Sequence, residues 1–339
     1  MKNQVIVLAE RPTGIPNENT FQFNTIEMPE ILDGEVLLKT LYVSVDPGMR
    51  GFMKKGTDDD IGTKYEIGKP ITSRTVAEVL ESKSELVKKG AIVHGRFSWQ
   101  IYQTISADQV ELVDPDLGPI STAVSVLGVP GLSAYFGMLK IGGIKKGDTV
   151  VVSGAAGGVG SIAVQIAKIK GCHVVGIAGS EEKIKYLTTD LGIDSAINYK
   201  ETKDLSKEIA KHCPTGVDVF FDNVGGATFD AVLPSISKHA RLVICGEIAG
   251  YNQSDPPTGI RPNHLLIQQS ARMEGFVVFD FQNEFESAKK EMSQWLKDGK
   301  MKYRENLIDG FENIPAAFIG LFKGENIGNK WLKLLIRIN

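Results

Sequence analysis

Apolar positions along this chain change their spacing near residue 118. Before it, short apolar or alternating runs (Val5 to Leu8, Val36 to Val45, Thr75 to Leu80, Ala91 to Phe97, Trp99 to Ile105) are divided by Gly/Pro turns. That pattern predicts strands with few helices. After Gly118, Ser121 to Leu127 and Gly131 to Leu139 read as helices around the breaker Val129-Pro130-Gly131. A regular alternation follows. Strands are expected at 149–152, 174–178, 195–198, 217–222, 240–245 and 273–278, with helices at 158–170, 181–190, 204–212, 226–237, 263–271 and 284–298. Strands each followed by a helix predict an α/β fold with a doubly wound, parallel six-stranded sheet of the Rossmann kind. Leu307-Ile308, a helix from Ile314 to Phe322 and the run Trp331 to Ile338 break the alternation and read as returning to the first domain. The expected division is therefore 1–128 with 300–339 as a β-rich domain, and 129–299 as a dinucleotide-binding domain.

Composition narrows this picture only a little. The chain has 339 residues, 42% hydrophobic and 23% charged, as in ordinary globular proteins with room for two cores. A net charge of −3 gives no reason to expect nucleic acid or an anionic membrane as partner. No apolar run approaches the ~20 residues that span a bilayer, and the first residues, MKNQVIVLAERP, do not read as a signal peptide. Cys172, Cys213 and Cys245 are far apart, which argues against a disulfide framework or a four-cysteine zinc site. The expected location is the cytoplasm. The acidic run Asp58-Asp59-Asp60 reads as a solvated loop, with a metal site as its alternative.

The candidate chemistry starts in DTVVVSGAAGGVGSIAVQIAKIK, residues 148–170. Gly154, Gly157, Gly158 and Gly160 fall within nine residues between a strand and a helix. Each glycine at a helix start costs about 1 kcal/mol against alanine, so something must approach the backbone closely. In a strand–turn–helix unit that is a pyrophosphate, held by N–H groups at the positive helix end; a tight βα turn is the alternative. The second strand ends in Ala178-Gly179-Ser180 without the carboxylate that would take the adenosine ribose of NAD, and Lys183 follows. A missing acid beside an ammonium favours the 2′-phosphate of NADP(H). Asp222, Asn223 and two glycines close the fourth strand, and ICGEIAGYN closes the fifth, at the strand ends where such sheets bind ligands.

No cysteine precedes Cys172, and His94 is the single histidine of the β-rich domain, so a Cys/His zinc set cannot be assembled there; no metal is expected. Hydride transfer to a conjugated double bond needs a metal less than carbonyl reduction does, because an enolate is held by one or two hydrogen bonds.

The segments LYVSVDPGMRGFM, LGVPGLSAYFG, VVSGAAGGVGS, VVGIAGSEEKIKYL, INYK, FFDNVGG, ICGEIAGYN, RMEGFVV and GFENIPAAFIGLFKGENIG occur in order over nearly the whole chain. With them the chain resembles the zinc-independent medium-chain dehydrogenase/reductases, in particular the leukotriene B4 12-hydroxydehydrogenase/prostaglandin reductase and alkenal double-bond reductase group. The resemblance implies a GroES-like domain beside the Rossmann domain, a homodimer, and NADPH-dependent reduction of the C=C bond of enals and enones. It places the pyrophosphate on Gly157, Gly158, Val159 and Gly160, and the 2′-phosphate at Lys183 and Tyr199, with Ser180 also among the cofactor-binding residues. The nicotinamide half falls along Asn223, Cys245, Gly246, Ile248 and Tyr251, beside Phe276, Val277 and Val278, with Asn326 reaching back. Gly48 and Met49, with Tyr251 and Gln268, would form the substrate cleft. Tyr251 and Gln268 are the candidate catalytic residues. Many members carry tyrosine where this chain has Gly48, several carry tyrosine at Gln268, and many carry lysine at Asn329. A quinone oxidoreductase of the ζ-crystallin type is the alternative enzyme, and a non-catalytic NADPH-binding protein the alternative of another class.

Overall fold

A computed structural model describes residues 2–55, 64–255, 257–323 and 333–338. In chain order its strands are β1 (Lys2–Leu8), β2 (Phe21–Glu27), β3 (Glu35–Ser44), β4 (Thr72–Ser82), β5 (Ile92–Ser98), β6 (Tyr102–Ser106), β7 (Glu111–Leu112), β8 (Thr149–Ser153), β9 (His173–Ala178), β10 (Ser195–Asn198), β11 (Val217–Asp222), β12 (Ile236–Ile244), β13 (Arg272–Gly275), β14 (Glu305–Asp309) and β15 (Lys333–Arg337). The α-helices are α1 (Met49–Phe52), α2 (Val129–Phe136), α3 (Gly160–Ile169), α4 (Glu181–Lys185), α5 (Leu205–His212), α6 (Gly226–Val232), α7 (Asn263–Gln269), α8 (Phe285–Lys297) and α9 (Ile314–Lys323). They form two compact units, Met1–Ser125 with Glu305–Asn339, and Val126–Arg304.

In the first unit a mixed sheet runs β14-β15-β3-β4-β5-β7, with β6 paired to β3 and a separate β1–β2 ribbon. The C-terminal segment joins this unit because its apolar side chains have their partners here. Phe318 of α9 lies edge-on to both Phe21 and Trp99, at 6.2 and 6.4 Å. Trp99 is fully buried, and its indole N–H donates to Ser73 Oγ at 2.9 Å. β2 lies outside the expected strands: only Phe21 on it is buried, while Phe23 and Ile26 are exposed, so no face of it is covered as in a half-buried strand.

The second unit holds the expected parallel sheet, in the order β10-β9-β8-β11-β12-β13. β8 is buried at all five residues and β11 at five of its six, as strands covered on both faces must be. The helix expected at 226–237 stops earlier. Pro234 cannot donate the i→i−4 bond, so α6 closes with a 3₁₀ turn, Leu233–Ser235, and β12 begins at Ile236. α4 likewise passes into a π-helical turn, Tyr186–Asp190. Gln165, buried on α3, tethers the end of this unit: its amide donates to Lys302 O at 2.9 Å and accepts from Lys302 N at 2.7 Å. Among the described residues no helix is long and apolar enough to cross a membrane.

Candidate dinucleotide site

The carboxyl ends of β8, β9, β11 and β12 bring most of the expected residues of the second unit together. After β8 the chain turns through Gly154 at φ +56°, a left-handed conformation that favours glycine. The Gly154 carbonyl accepts from Gly157 N at 2.9 Å, which curls the turn. α3 then starts so close that a Cβ on Gly160 would lie 2.2 Å from Gly154 O and 2.8 Å from Ala155 Cα. The N–H groups of Gly158, Val159 and Gly160 have no acceptor among the described residues. Three open donors at the positive end of a ten-residue helix fit a pyrophosphate.

At the end of β9, Ser180 caps α4 by accepting from Lys183 N at 3.4 Å. Tyr199 follows β10, with its N–H bound to Ala178 O. Its ring covers Gly179, where a Cβ would lie 2.7 Å from a ring carbon. The Lys183 ammonium is half-buried and its pKa is lowered, first by burial and then by the neighbouring charge of Lys200. Two ammonium groups in electrostatic contact beside a phenol fit a dianionic group such as a 2′-phosphate. Lys200 escaped the sequence reading. Its signal was its place directly after Tyr199 in INYK, where it reads as one more surface lysine.

Asp222 ends β11 almost fully buried. Its carboxylate accepts from Ser153 Oγ at 2.5 Å, from Val224 N at 3.0 Å, and from Gly225 N at 3.1 Å to each oxygen. Burial still pushes its pKa above the ordinary aspartate value. Asn223 donates from its backbone to Ser153 Oγ and from its side chain to Ser153 O, both at 2.8 Å. The loop after β12 is bound to the same turn: Cys245 N and Gly246 N donate to Asp222 O, and Ala249 N donates to Val224 O.

In that loop the Tyr251 hydroxyl accepts from Glu247 N at 3.3 Å, and burial raises its pKa. The phenol therefore keeps its proton through the neutral range and has it to donate. Phe276 is half-buried against Gly137 and Phe281, Val277 is exposed, and Val278 is buried.

One expected residue of this unit stands elsewhere. Gln268 is exposed at the C-terminal end of α7, and its carbonyl takes Lys238 Nζ at 3.5 Å, near the start of β12. That is the amino end of the sheet, so within the chain Gln268 does not join Tyr251. Met49, expected in the substrate cleft, is 5% exposed; it packs in the first unit's core, and its sulfur accepts from Asp46 N. A side chain so placed belongs to the core rather than to an open wall. Beside it, a Cβ on Gly48 would meet no atom of the described residues within 4 Å. Asn326, Asn329 and Asp58 to Asp60 lie outside the described residues. Among the described residues, no three His, Cys, Asp or Glu side chains gather as a metal site.

All three thiols are held as thiols. Burial pushes Cys172 and Cys213 up to about 11, and Cys245 up to about 12.

Two family models match the chain: one described as the N-terminal domain of oxidoreductase over residues 4–113, and one as zinc-binding dehydrogenase over residues 158–294. Prostaglandin reductase 1 of Bos taurus is 41% identical over 94% of this chain and 95% of its own. The 2-alkenal reductase (NADP(+)-dependent) of Nicotiana tabacum is 38% identical over 97% of each. The crystal structure of CurA from Vibrio vulnificus in complex with NADPH superposes with a TM-score of 0.91, at 37% identity and 99% coverage of both chains.

Proposed function

We propose, from the premise that this chain belongs to the zinc-independent medium-chain dehydrogenase/reductases of the prostaglandin and alkenal reductase group, that it reduces the C=C bond of α,β-unsaturated aldehydes and ketones. Its cofactor is NADP(H). The observation that carries the reading is a phosphate-fitting group, Lys183, Lys200 and Tyr199, at one end of the strand termini with the proton-bearing phenol of Tyr251 at the other.

In this reading Gly157 to Gly160 hold the pyrophosphate, and Ser180, Lys183 and Tyr199 hold the 2′-phosphate. Asn223, Cys245, Gly246, Ile248 and Tyr251, with Phe276 to Val278, border the nicotinamide half. When bound, NADPH supplies the hydride that the β-carbon of the enone accepts. The charge that then develops on the substrate carbonyl oxygen is met by the Tyr251 O–H, whose raised pKa keeps it a donor. Water delivers the proton to the α-carbon.

The test is NADPH oxidation with 2-nonenal and 3-nonen-2-one, products identified by mass. Background rates with both would sink the reading. Saturated products separate it from quinone reduction, and NADPH binding without turnover of either class would mark a non-catalytic binder. Tyr251→Phe is expected to lower kcat by about 100- to 1,000-fold, the scale of one lost oxyanion donor, while the NADPH Kd stays within about threefold. An unchanged kcat removes Tyr251 from the reaction.

The partner in this reading is a second copy of the chain. β13 is the free edge of the six-stranded sheet, all four of its residues are exposed, and Met273, Val277 and Ile267 are exposed apolar residues on or near it. Sedimentation at micromolar concentration is expected to give twice the chain mass, and Met273→Lys to halve it; a wild-type monomer refutes the pairing. A cytoplasmic enzyme is the location this reading fits, tested by cell fractionation.

A further inference from the structure

The Asp222 carboxylate does more than end a strand. Ser153 ends β8, immediately before the glycine turn, and donates to Asp222 Oδ1 while accepting from Asn223 N. Val224 N and Gly225 N converge on the same carboxylate, fixing the turn into α6. The backbone oxygen of Asp222 takes the N–H groups of Cys245 and Gly246, and Asn223 O takes that of Ile248. One residue thus binds the end of β8, its own turn and the first residues of the loop that carries Tyr251. Among the described residues, Asp222 is the most buried carboxylate.

We infer that Asp222 is a positioning residue for the nicotinamide half of the cofactor: its carboxylate and carbonyl together lock the turn after β8, the turn after β11 and the 245–251 loop into one arrangement. A buried carboxylate is expensive to hold in an apolar sheet. An asparagine of the same shape would place an amide N–H against Gly225 N–H and leave a donor without an acceptor. The adenosine end, at Ser180, Lys183 and Tyr199, is built on the far strands β9 and β10 and receives no bond from Asp222. Asp222 therefore acts on one half of the dinucleotide and not on the other. This rests on the course of the cofactor proposed above.

The test uses two ligands on the whole protein: NADPH, and adenosine 2′-monophosphate, which carries the adenosine and its 2′-phosphate without the pyrophosphate or the nicotinamide. Asp222→Asn is expected to weaken NADPH by about 10- to 100-fold and to leave the monophosphate Kd within about twofold. Ser153→Ala, which removes the donor to the same carboxylate, is expected to reproduce that split, so the inference stays testable if Asp222→Asn does not fold. The double variant is expected to lose little more than the larger single loss, because one network is broken once. Parallel weakening of both ligands, or no weakening of either, overturns the inference. Lys183→Glu separates the two readings. It should weaken the monophosphate. If it does, and Asp222→Asn spares NADPH, only the role of Asp222 falls; if Lys183→Glu leaves the monophosphate unchanged, the course of the cofactor falls and the inference with it.

Discussion

Lys183→Glu is expected to invert the cofactor preference of this enzyme, lowering kcat/KM for NADPH by two to three orders of magnitude while leaving that for NADH close to its wild-type value. A unit charge at ~4 Å from another contributes about 1–4 kcal/mol between bulk water and a protein surface. The substitution removes an attraction of that size and adds a repulsion, against a phosphate that carries more than one charge. Lys200 stays in place and sets the residual NADPH activity.

The substitution should not unfold the chain. Ser180 is the N-cap of α4 and position 183 is the third helical residue, so Lys183→Glu writes the Ser-x-x-Glu capping box and puts an acid at the positive helix end. Thermal melting is expected to hold or rise slightly. An unchanged NADPH/NADH ratio would remove Lys183 from the site, and a fall in Tm would refute the capping argument. Tight binding of NADH by the wild type would mean that the two lysines serve another anion.

Gly160→Ala is expected to abolish measurable NADPH binding and to destabilise the second unit by about 3 kcal/mol, at the upper end of ordinary overpacking. For a unit of this size that corresponds to a fall in Tm of about 6–12 °C. The reason is what the new methyl would meet: Gly154 O at 2.2 Å and Ala155 Cα at 2.8 Å, both backbone. Relief requires the turn to open, and the turn is what aims the open N–H groups at the proposed pyrophosphate. Gly157→Ala is the internal control, because its added carbon meets a single atom, Gly154 O, at 3.2 Å. Equal losses in the two variants would mean that the turn is yielding and that close approach is not what glycine provides at 160.

The parallel sheet was legible because its central strands β8, β9 and β11 are buried on both faces and divided by helices; β10 and β11 run over 195–198 and 217–222, as expected. Local chemistry hid the rest. A sequence that continues a helical pattern through Val232 does not announce that the backbone turns back at Pro234, and His239 then adopts φ +63° within β12, where the strand pairs irregularly with β11. The phosphate-fitting group was half legible. Lys183 could be found by its distance from the glycine turn, whereas Lys200 becomes informative only when β9 and β10 lie side by side. Asp222 could be placed at a strand end, but the donors that converge on it come from β8 and from its own turn, a relation carried by the fold and not by spacing. Gln268 shows the converse. A match of position within a motif says nothing of which end of the sheet a residue reaches.

Under the proposed activity, the state of the three cysteines bears on how long the protein survives enals. Enals alkylate thiolates by conjugate addition, and the thiolate is the reactive form. With Cys172 and Cys213 pushed up to about 11 and Cys245 up to about 12, only on the order of one thiol in ten thousand or fewer is ionised at neutral pH. A catalyst of the proposed reaction is thereby spared alkylation of its own thiols.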